Sequence, residues 1–412
     1  MRRLLTLMCG VGLMAACGGG TDTGDPPFTT TTTSTSTSVV TAATTDVTVE
    51  VVEPEACRVE SSAGPTLRSL PVDGSVHSLD VSGNCIVAVV TGGELLTLAD
   101  DALVPMGAQL PFDRPMGVVF VGEALWVNVR SGDCFGWGVL DGESWHEIVE
   151  PACGDEGGLG PIGVTDSRVI FARAPMGELG DPSEVEMDLV VYEEGVWTEF
   201  GTVTGIPYGA VIDGDGEIWV VLWSGGLARC NRESCIYQHV PGAVTSSQIY
   251  GMKSGPDGDV WLLARNALAR FDGAEWTAFS SASVIETWGQ ALEETVDQVV
   301  QVTLVDLEGL PLDPQPDFFG GLGQPFDFDI TSEDQLWIGV RLDLMEGAGD
   351  SLVHVSGDTW TLHPLDNSDI DIVPEMVAAA NSTVWFAHYN RFGDETGEMA
   401  QPHVYWYTPP EK

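Results

Sequence analysis

Basic residues are what this chain has least of. Only 16 of 412 residues are Lys or Arg, against 62 Asp or Glu, a formal net charge of −46. The only lysines are Lys253 and Lys412. A polyanion of this density repels nucleic acid and anionic lipid surfaces, so the expected partners include no nucleic acid. The acidic residues are spread over turns and form no single tail, which reads as solvation. Beyond the extreme N-terminus no apolar run is long enough to cross a bilayer. Chemical signatures are missing as well. There is no Gly-x-Ser-x-Gly, no His-Glu-x-x-His and no P-loop. The seven histidines are scattered without zinc-ligand spacing, and no Cys-x-x-Cys pair occurs. No reaction is named by any phrase in the chain, and no cofactor is expected.

The N-terminus carries an address. Met1-Arg2-Arg3 is basic, and Leu4 to Ala16 is mostly apolar but too short to span a membrane, as in a secretory signal. The stretch ends Leu13-Met14-Ala15-Ala16-Cys17, which resembles a bacterial lipobox. That resemblance implies cleavage before Cys17, diacylation of its thiol, and anchorage to a membrane outside the cytoplasm. An ordinary signal peptide containing a Cys is the alternative. The expected division is a signal peptide over 1–16, a lipidated Cys with a flexible Thr/Ser-rich linker over 17–56, and a folded domain over 57–412. Thr29 to Thr45 is nearly all Thr, Ser, Ala and Val and cannot bury a core.

Of the eight cysteines, Cys9 leaves with the signal and Cys17 takes the lipid. Cys57, Cys85, Cys134, Cys153, Cys230 and Cys235 remain, an even number in an oxidising compartment, which favours disulfides. Cys230 and Cys235 flank a four-residue turn, and Cys134 and Cys153 lie in one repeat. Cys57 and Cys85 are then left to each other.

The chain is rich in a repeated phrase. Leu125-Trp126-Val127, Ile218-Trp219-Val220, Val260-Trp261-Leu262, Leu336-Trp337-Ile338 and Val384-Trp385-Phe386 mostly follow turns rich in Asp, Gly, Ser or Asn. Several lead to a second aromatic strand, as in Asp272-Gly273-Ala274-Glu275-Trp276. Turn spacing and alternation predict seven repeats of roughly 40 to 50 residues, each the size of a four-stranded propeller blade. The fold class is therefore all-β, a seven-bladed β-propeller. Thr66-Leu67-Arg68-Ser69-Leu70-Pro71 looks like the outer strand Thr361-Leu362-His363-Pro364 and stands directly before the first repeat. It is expected to complete the last blade, removing a free edge. The repeated tryptophans then belong to the cores between blades.

The fourth and fifth repeats resemble two-component-regulator propeller repeats. Their order is a polar Asp-Gly turn, Ile-Trp, a small strand, then Gly-Gly-Leu and a basic or aromatic strand. Virginiamycin B lyase-like propellers share the Asp-Gly-x-Ile-Trp phrase. The resemblance spans about residues 66 to 409 and implies fold far more than function. In the lyase family it would imply a metal-assisted His and Glu site, and no residues here match such a site position by position.

Propeller geometry sorts the connections onto two faces. One face is predicted to hold short turns, such as Asp213 to Glu217, Pro256 to Asp259 and Asp272 to Glu275. The other would hold the long insertions, Ala174 to Met187, Ser281 to Pro325, Leu342 to Asp350 and Tyr389 to Pro402, where function usually lies. Arg130, Arg265 and Arg341 each follow a strand tryptophan by four residues, with Arg173 nearby. Guanidinium forks on that face suit carboxylate, sulfate or phosphate, or else pair with acidic neighbours. Tyr208, Tyr250 and His388 complete the candidate ligand-binding set. The turn Asp213-Gly214-Asp215-Gly216-Glu217 has closely spaced carboxylates that could hold calcium, or form a polar hairpin turn. The reading is a surface lipoprotein whose propeller engages a glycan, peptide or protein. A lyase or hydrolase using the same face and a structural envelope component are the alternatives.

Overall fold

The computed structural model describes residues 66–99, 102–106, 114–131, 134–141, 144–153, 159–165, 167–173, 181, 183–223, 226–238, 249–264, 267–281, 298–300, 302–304, 324–331, 335–341, 350–357, 359–365, 374, 376–380, 383–387 and 402–408. Everything predicted before residue 66, including Cys17 and Cys57, lies outside them.

The described chain forms seven sheets in sequence order, each built on four antiparallel strands, the blades of a propeller. They run Val76–Pro105, Arg114–Cys153, Leu159–Thr204, Pro207–Gln238, Ile249–Ser281, Gln324–Pro364 and Met376–Thr408. The first strand of each blade neighbours the first strands of the blades beside it, which closes a ring around a central channel. Thr66–Pro71 pairs antiparallel with His403–Thr408, Thr66 opposite Thr408 and Pro71 opposite His403, so the N-terminal strand completes blade 7 as expected.

Each second strand is sandwiched between two neighbours in its own sheet and between two flanking blades. It therefore has no wet face, and its sequence is a continuous apolar run instead of an alternation. Val87–Thr91, Ile218–Leu222, Val260–Ala264 and Thr383–Ala387 are buried at every position. The strand tryptophans fill the cores between blades. Trp219, for example, packs with Val260, Leu262 and Phe271 of the next blade. Its ring lies edge-on to Trp276, with centroids 5.3 Å apart. Neighbouring first strands approach so closely that a Cβ on Gly163 would sit 1.7 Å from the Ala210 carbonyl oxygen. Only glycine fits there.

First strands are also sheet edges, and their outward N–H groups need acceptors. Side chains of the preceding blade supply them. Asp80 accepts from Phe120 N at 2.6 Å and Ser78 from Val118 N at 3.1 Å. Thr165 accepts from Ile212 N at 3.1 Å. Asp327 and Asp329 accept from Val377 N and Ala379 N at 3.0 and 2.8 Å.

Two blades depart from the four-strand expectation. Gln298–Val300 adds a parallel fifth strand to the outer edge of blade 5, and Val302–Leu304 does the same for blade 6. With only Gln301 between them, one segment straps both outer edges. This part of the 281–325 insertion is thus built into the sheets, not raised as a loop above one face. Alternation could not reveal it, because three-residue strands carry too little pattern.

Cys230 and Cys235 form the disulfide expected across their turn. Cys85 and Cys134 are each disulfide-bonded, and Cys134 stands opposite Cys153 in the strand register.

Candidate functional site

The beginnings of the first strands and the ends of the second strands lie at the same end of each blade, the long-loop face. There the sheets share an irregularity. In six blades the register of the first strand slips at its second, third or fourth residue, leaving one residue unpaired: His77, Met116, Ile162, Tyr208, Tyr250 and Phe326. A bulge breaks the strict alternation and re-aims the side chain. Ile162, Tyr208 and Tyr250 lean onto the core shared with the following blade. Tyr208 reaches further, and its hydroxyl donates to the Ile249 carbonyl of blade 5 at 2.8 Å. Burial pushes its pKa up, so it remains a neutral donor. The bulged residues form a collar around the upper rim of the channel.

Trp223 stands on the same face, just after the second strand of blade 4. Its main-chain N–H is bonded to the Ile206 carbonyl at 2.7 Å, which fixes its place. Its ring meets Tyr208 edge-on with centroids 6.4 Å apart, yet the residue is 55% exposed. It is no part of the repeated tryptophan phrase, because it directly follows the apolar run Ile218–Leu222 and is flanked by apolar residues on one side only.

The arginines predicted for this face have separate fates. Arg130 stands at the upper end of the second strand of blade 2, half-buried and engaged within the fold. Arg341 ends the second strand of blade 6, opposite Gln324 and Asp350. Arg173 ends that of blade 3, exposed and paired with Glu199 at 3.5 Å. Arg265 and His388 lie outside the described residues. Arg130 and Arg173 stand on the adjacent blades 2 and 3, and Arg341 stands apart from them on blade 6. Tyr208 and Tyr250 stand on adjacent blades.

Two other arginines dominate the opposite, short-turn face. Arg229 lies over the rings of Trp219 and Phe271, 5.2 and 5.1 Å from their centroids. It pairs with Asp213 at 2.8 Å, with Asp215 at 3.4 Å and with Glu217. The other oxygen of Asp213 accepts the N–H groups of Asp215 and Glu217 at 3.1 and 2.9 Å. The carboxylates considered for calcium are therefore held around a guanidinium, the polar-turn alternative. Blade 5 repeats the device with Arg270 over Trp261 and paired to Asp259. Among the described residues no group of His, Cys, Asp and Glu gathers as a metal site.

The lower channel holds a third feature. Lys253 on the first strand of blade 5 lies 3.3 Å from Asp329 of blade 6. Its side chain is 43% exposed although strands surround it, as expected for a group facing a lumen. Asp80 and Asp327 complete the set. Burial first, then the charge of Asp329, pushes Asp80 up to about 7. Burial likewise pushes Asp327 up to about 6. Asp329 above all, with Asp327 and Asp80, raises the Lys253 ammonium above its ordinary value. Ser254 donates to Thr165 at 3.3 Å across the intervening blade. Polar side chains thus bridge the channel toward the short-turn face.

Fold and rim together define a seven-bladed β-propeller with a collared channel. It is structurally similar to streptogramin B lyase, at 13% identity and a TM-score of 0.50, covering 84% of this chain and 99% of that one. A catalytically inactive virginiamycin B lyase from Staphylococcus aureus with quinupristin gives 13% identity and 0.51 over the same shares. The extracellular domain of the hybrid two-component system BT3049 from B. thetaiotaomicron gives 10% and 0.46, covering 83% of this chain and 41% of that one. These likenesses concern the fold. No protein-family model and no curated protein matches the chain.

Proposed function

We propose that this chain is a lipid-anchored protein of the cell envelope, held outside the cytoplasm through Cys17, whose propeller binds a peptide, glycan or protein on its long-loop face. The observation that carries the binding reading is Trp223. Trp223 keeps 55% of its surface in water, yet a main-chain bond and an edge contact with Tyr208 hold it in place. Exposed, pre-positioned aromatics are the usual anchors of recognition surfaces. Tyr208 and Tyr250, held half-buried by their bulges, extend the aromatic area onto the adjoining blade.

Screening the purified domain against peptide and glycan libraries is expected to yield a ligand class whose affinity falls at least tenfold in Trp223→Ala with no loss of melting temperature. Trp197→Ala serves as the control. That ring is also partly exposed, but it packs on Tyr192 of its own blade. Equal binding by Trp223→Ala and the parent, or no binding to either library, would overturn the reading. The anchor is tested separately. Cys17→Ala is expected to abolish incorporation of labelled palmitate and move the protein from the membrane fraction to the soluble extracytoplasmic fraction. Retention in the membrane would reject it.

A further inference from the structure

We propose that the rim above blades 1 and 2 contains an anion subsite, in which the Arg114 guanidinium grips a carboxylate, sulfate or phosphate group of the ligand. The proposal deepens the binding reading above and rests on it. Arg114 opens the first strand of blade 2, directly opposite Arg130 in the register. Two like charges at one cross-strand position oppose each other. His77, the bulged residue of blade 1, adds a third nitrogen group. Burial first, and then the charge of Arg114, holds its imidazole below the ordinary value, which places Arg114 within electrostatic reach. The stem of Arg114 passes over the turn of blade 1, where a Cβ on Gly93 would lie 3.9 Å from its Cγ. At φ +131° that position favours glycine, so the floor under the stem is bare backbone.

The other partners are already committed. Arg130 and His77 are engaged within the fold. Arg114 is exposed, and among the described residues no carboxylate pairs with it, Glu94 at the start of the next strand included. Arg168, Arg173, Arg229 and Arg270 each hold an acidic partner. In so acidic a chain, an arginine with no acidic partner among the described residues, beside a second arginine, is a departure that needs a reason. Arg68 and Arg232 are also exposed without ion pairs among the described residues, but neither stands opposite another cation. The net charge of the chain does not cancel the subsite. The Debye length is about 8 Å at physiological ionic strength, so remote carboxylates are screened while the local pair acts at contact. A guanidinium with no carboxylate partner among the described residues offers a two-pronged grip that a lysine would not.

The probes are tetra-aspartate peptide, inorganic sulfate and inorganic phosphate, each titrated at constant ionic strength and read by the His77 imidazole resonances. At least one is expected to give a saturable shift, and the one that saturates names the source of the anion. Arg114→Ala should weaken that binding at least tenfold, Arg114→Lys should restore part of it, and Arg173→Ala on the same face should leave it unchanged. A linear response to every probe, or equal losses in Arg114→Ala and Arg173→Ala, would overturn the subsite and leave only general screening. Trp223→Ala should not alter binding of these small probes, so the subsite and the aromatic anchor fail or stand independently.

Discussion

Replacing Lys253 with Met is expected to lower the melting temperature at pH 7.5, and replacing Asp80 with Asn to raise it. Lys253 is the cation that faces Asp329, Asp327 and Asp80 in the lower channel. Without it three carboxylates share a lumen with no counter-charge among the described residues. Breaking a fully buried ion pair costs about 3–5 kcal/mol. Because the Lys253 side chain is 43% exposed, solvent screens part of this, and about 1–3 kcal/mol is the expected loss. For a domain of this size that is about 2–6 °C. Asp80→Asn acts in the opposite sense. The amide still offers an oxygen to Phe120 N, while the repulsion from Asp329 disappears.

The pH dependence follows from the directions of the shifts. Asp80 and Asp327 hold protons more tightly in the fold than in the unfolded chain, up to about 7 and about 6. Their contribution favours folding at mildly acid pH. It is lost progressively as pH rises from about 4 through those values. The raised Lys253 contributes fully below its ordinary value and fades only in strong alkali. Asp181 and Asp272, lowered by the N–H groups of their own turns, lose stabilisation only as pH falls below the ordinary carboxylate range. Between pH 5 and 8 the channel pair should therefore dominate the difference between parent and Asp80→Asn. That difference, measured by calorimetry at fixed ionic strength, is expected to be smallest near pH 4, to grow through pH 5 to 7 and to be largest at pH 8. A pH-independent difference would show that Asp80 does not titrate in this window.

What could be read in the sequence follows from how each part is encoded. Blade count and closure rest on apolar runs and turns repeated seven times, so errors at single positions average out. Trp126, Trp219, Trp261, Trp337 and Trp385 mark strands because the space between blades demands bulk at the same place each time. The collar was encoded too, but by a quieter phrase. Pro115-Met116-Gly117, Pro161-Ile162-Gly163 and Pro207-Tyr208-Gly209 each place the bulged residue between a proline and a glycine. The channel charges could not be read. Asp80, Lys253, Asp327 and Asp329 are far apart in sequence and meet only because the ring closes. Arg114 and Arg130 meet through a register that no local pattern specifies. Trp223 is one residue past a buried strand, where continuation of the core and exposure on the rim look alike.

Removing the N-terminal strand is expected to cost more than any point substitution. Thr66–Pro71 runs the full length of His403–Thr408, six residue pairs in unbroken register. Leu67 packs against the core containing Trp337, Val384, Phe386 and Tyr407, and Leu70 against that containing Trp385 and Trp406. Without the strand, blade 7 would end on an open edge whose residues Val404 to Tyr407 are buried in the intact fold. An apolar sheet edge exposed to water both loses burial and invites pairing with other chains. A chain beginning at residue 73 is therefore expected to melt more than 10 °C lower or to aggregate, while one beginning at residue 60 should retain the full strand. Loss of the ring closure and loss of a mere leader are separated by circular permutation. Residues 60–72 attached through a short Gly/Ser linker after Lys412 should restore the melting temperature, because the strand can return to the same edge from the other end of the chain. Failure of that permutant, with the chain starting at residue 60 stable, would mean that the segment stabilises the propeller through something other than its pairing in blade 7.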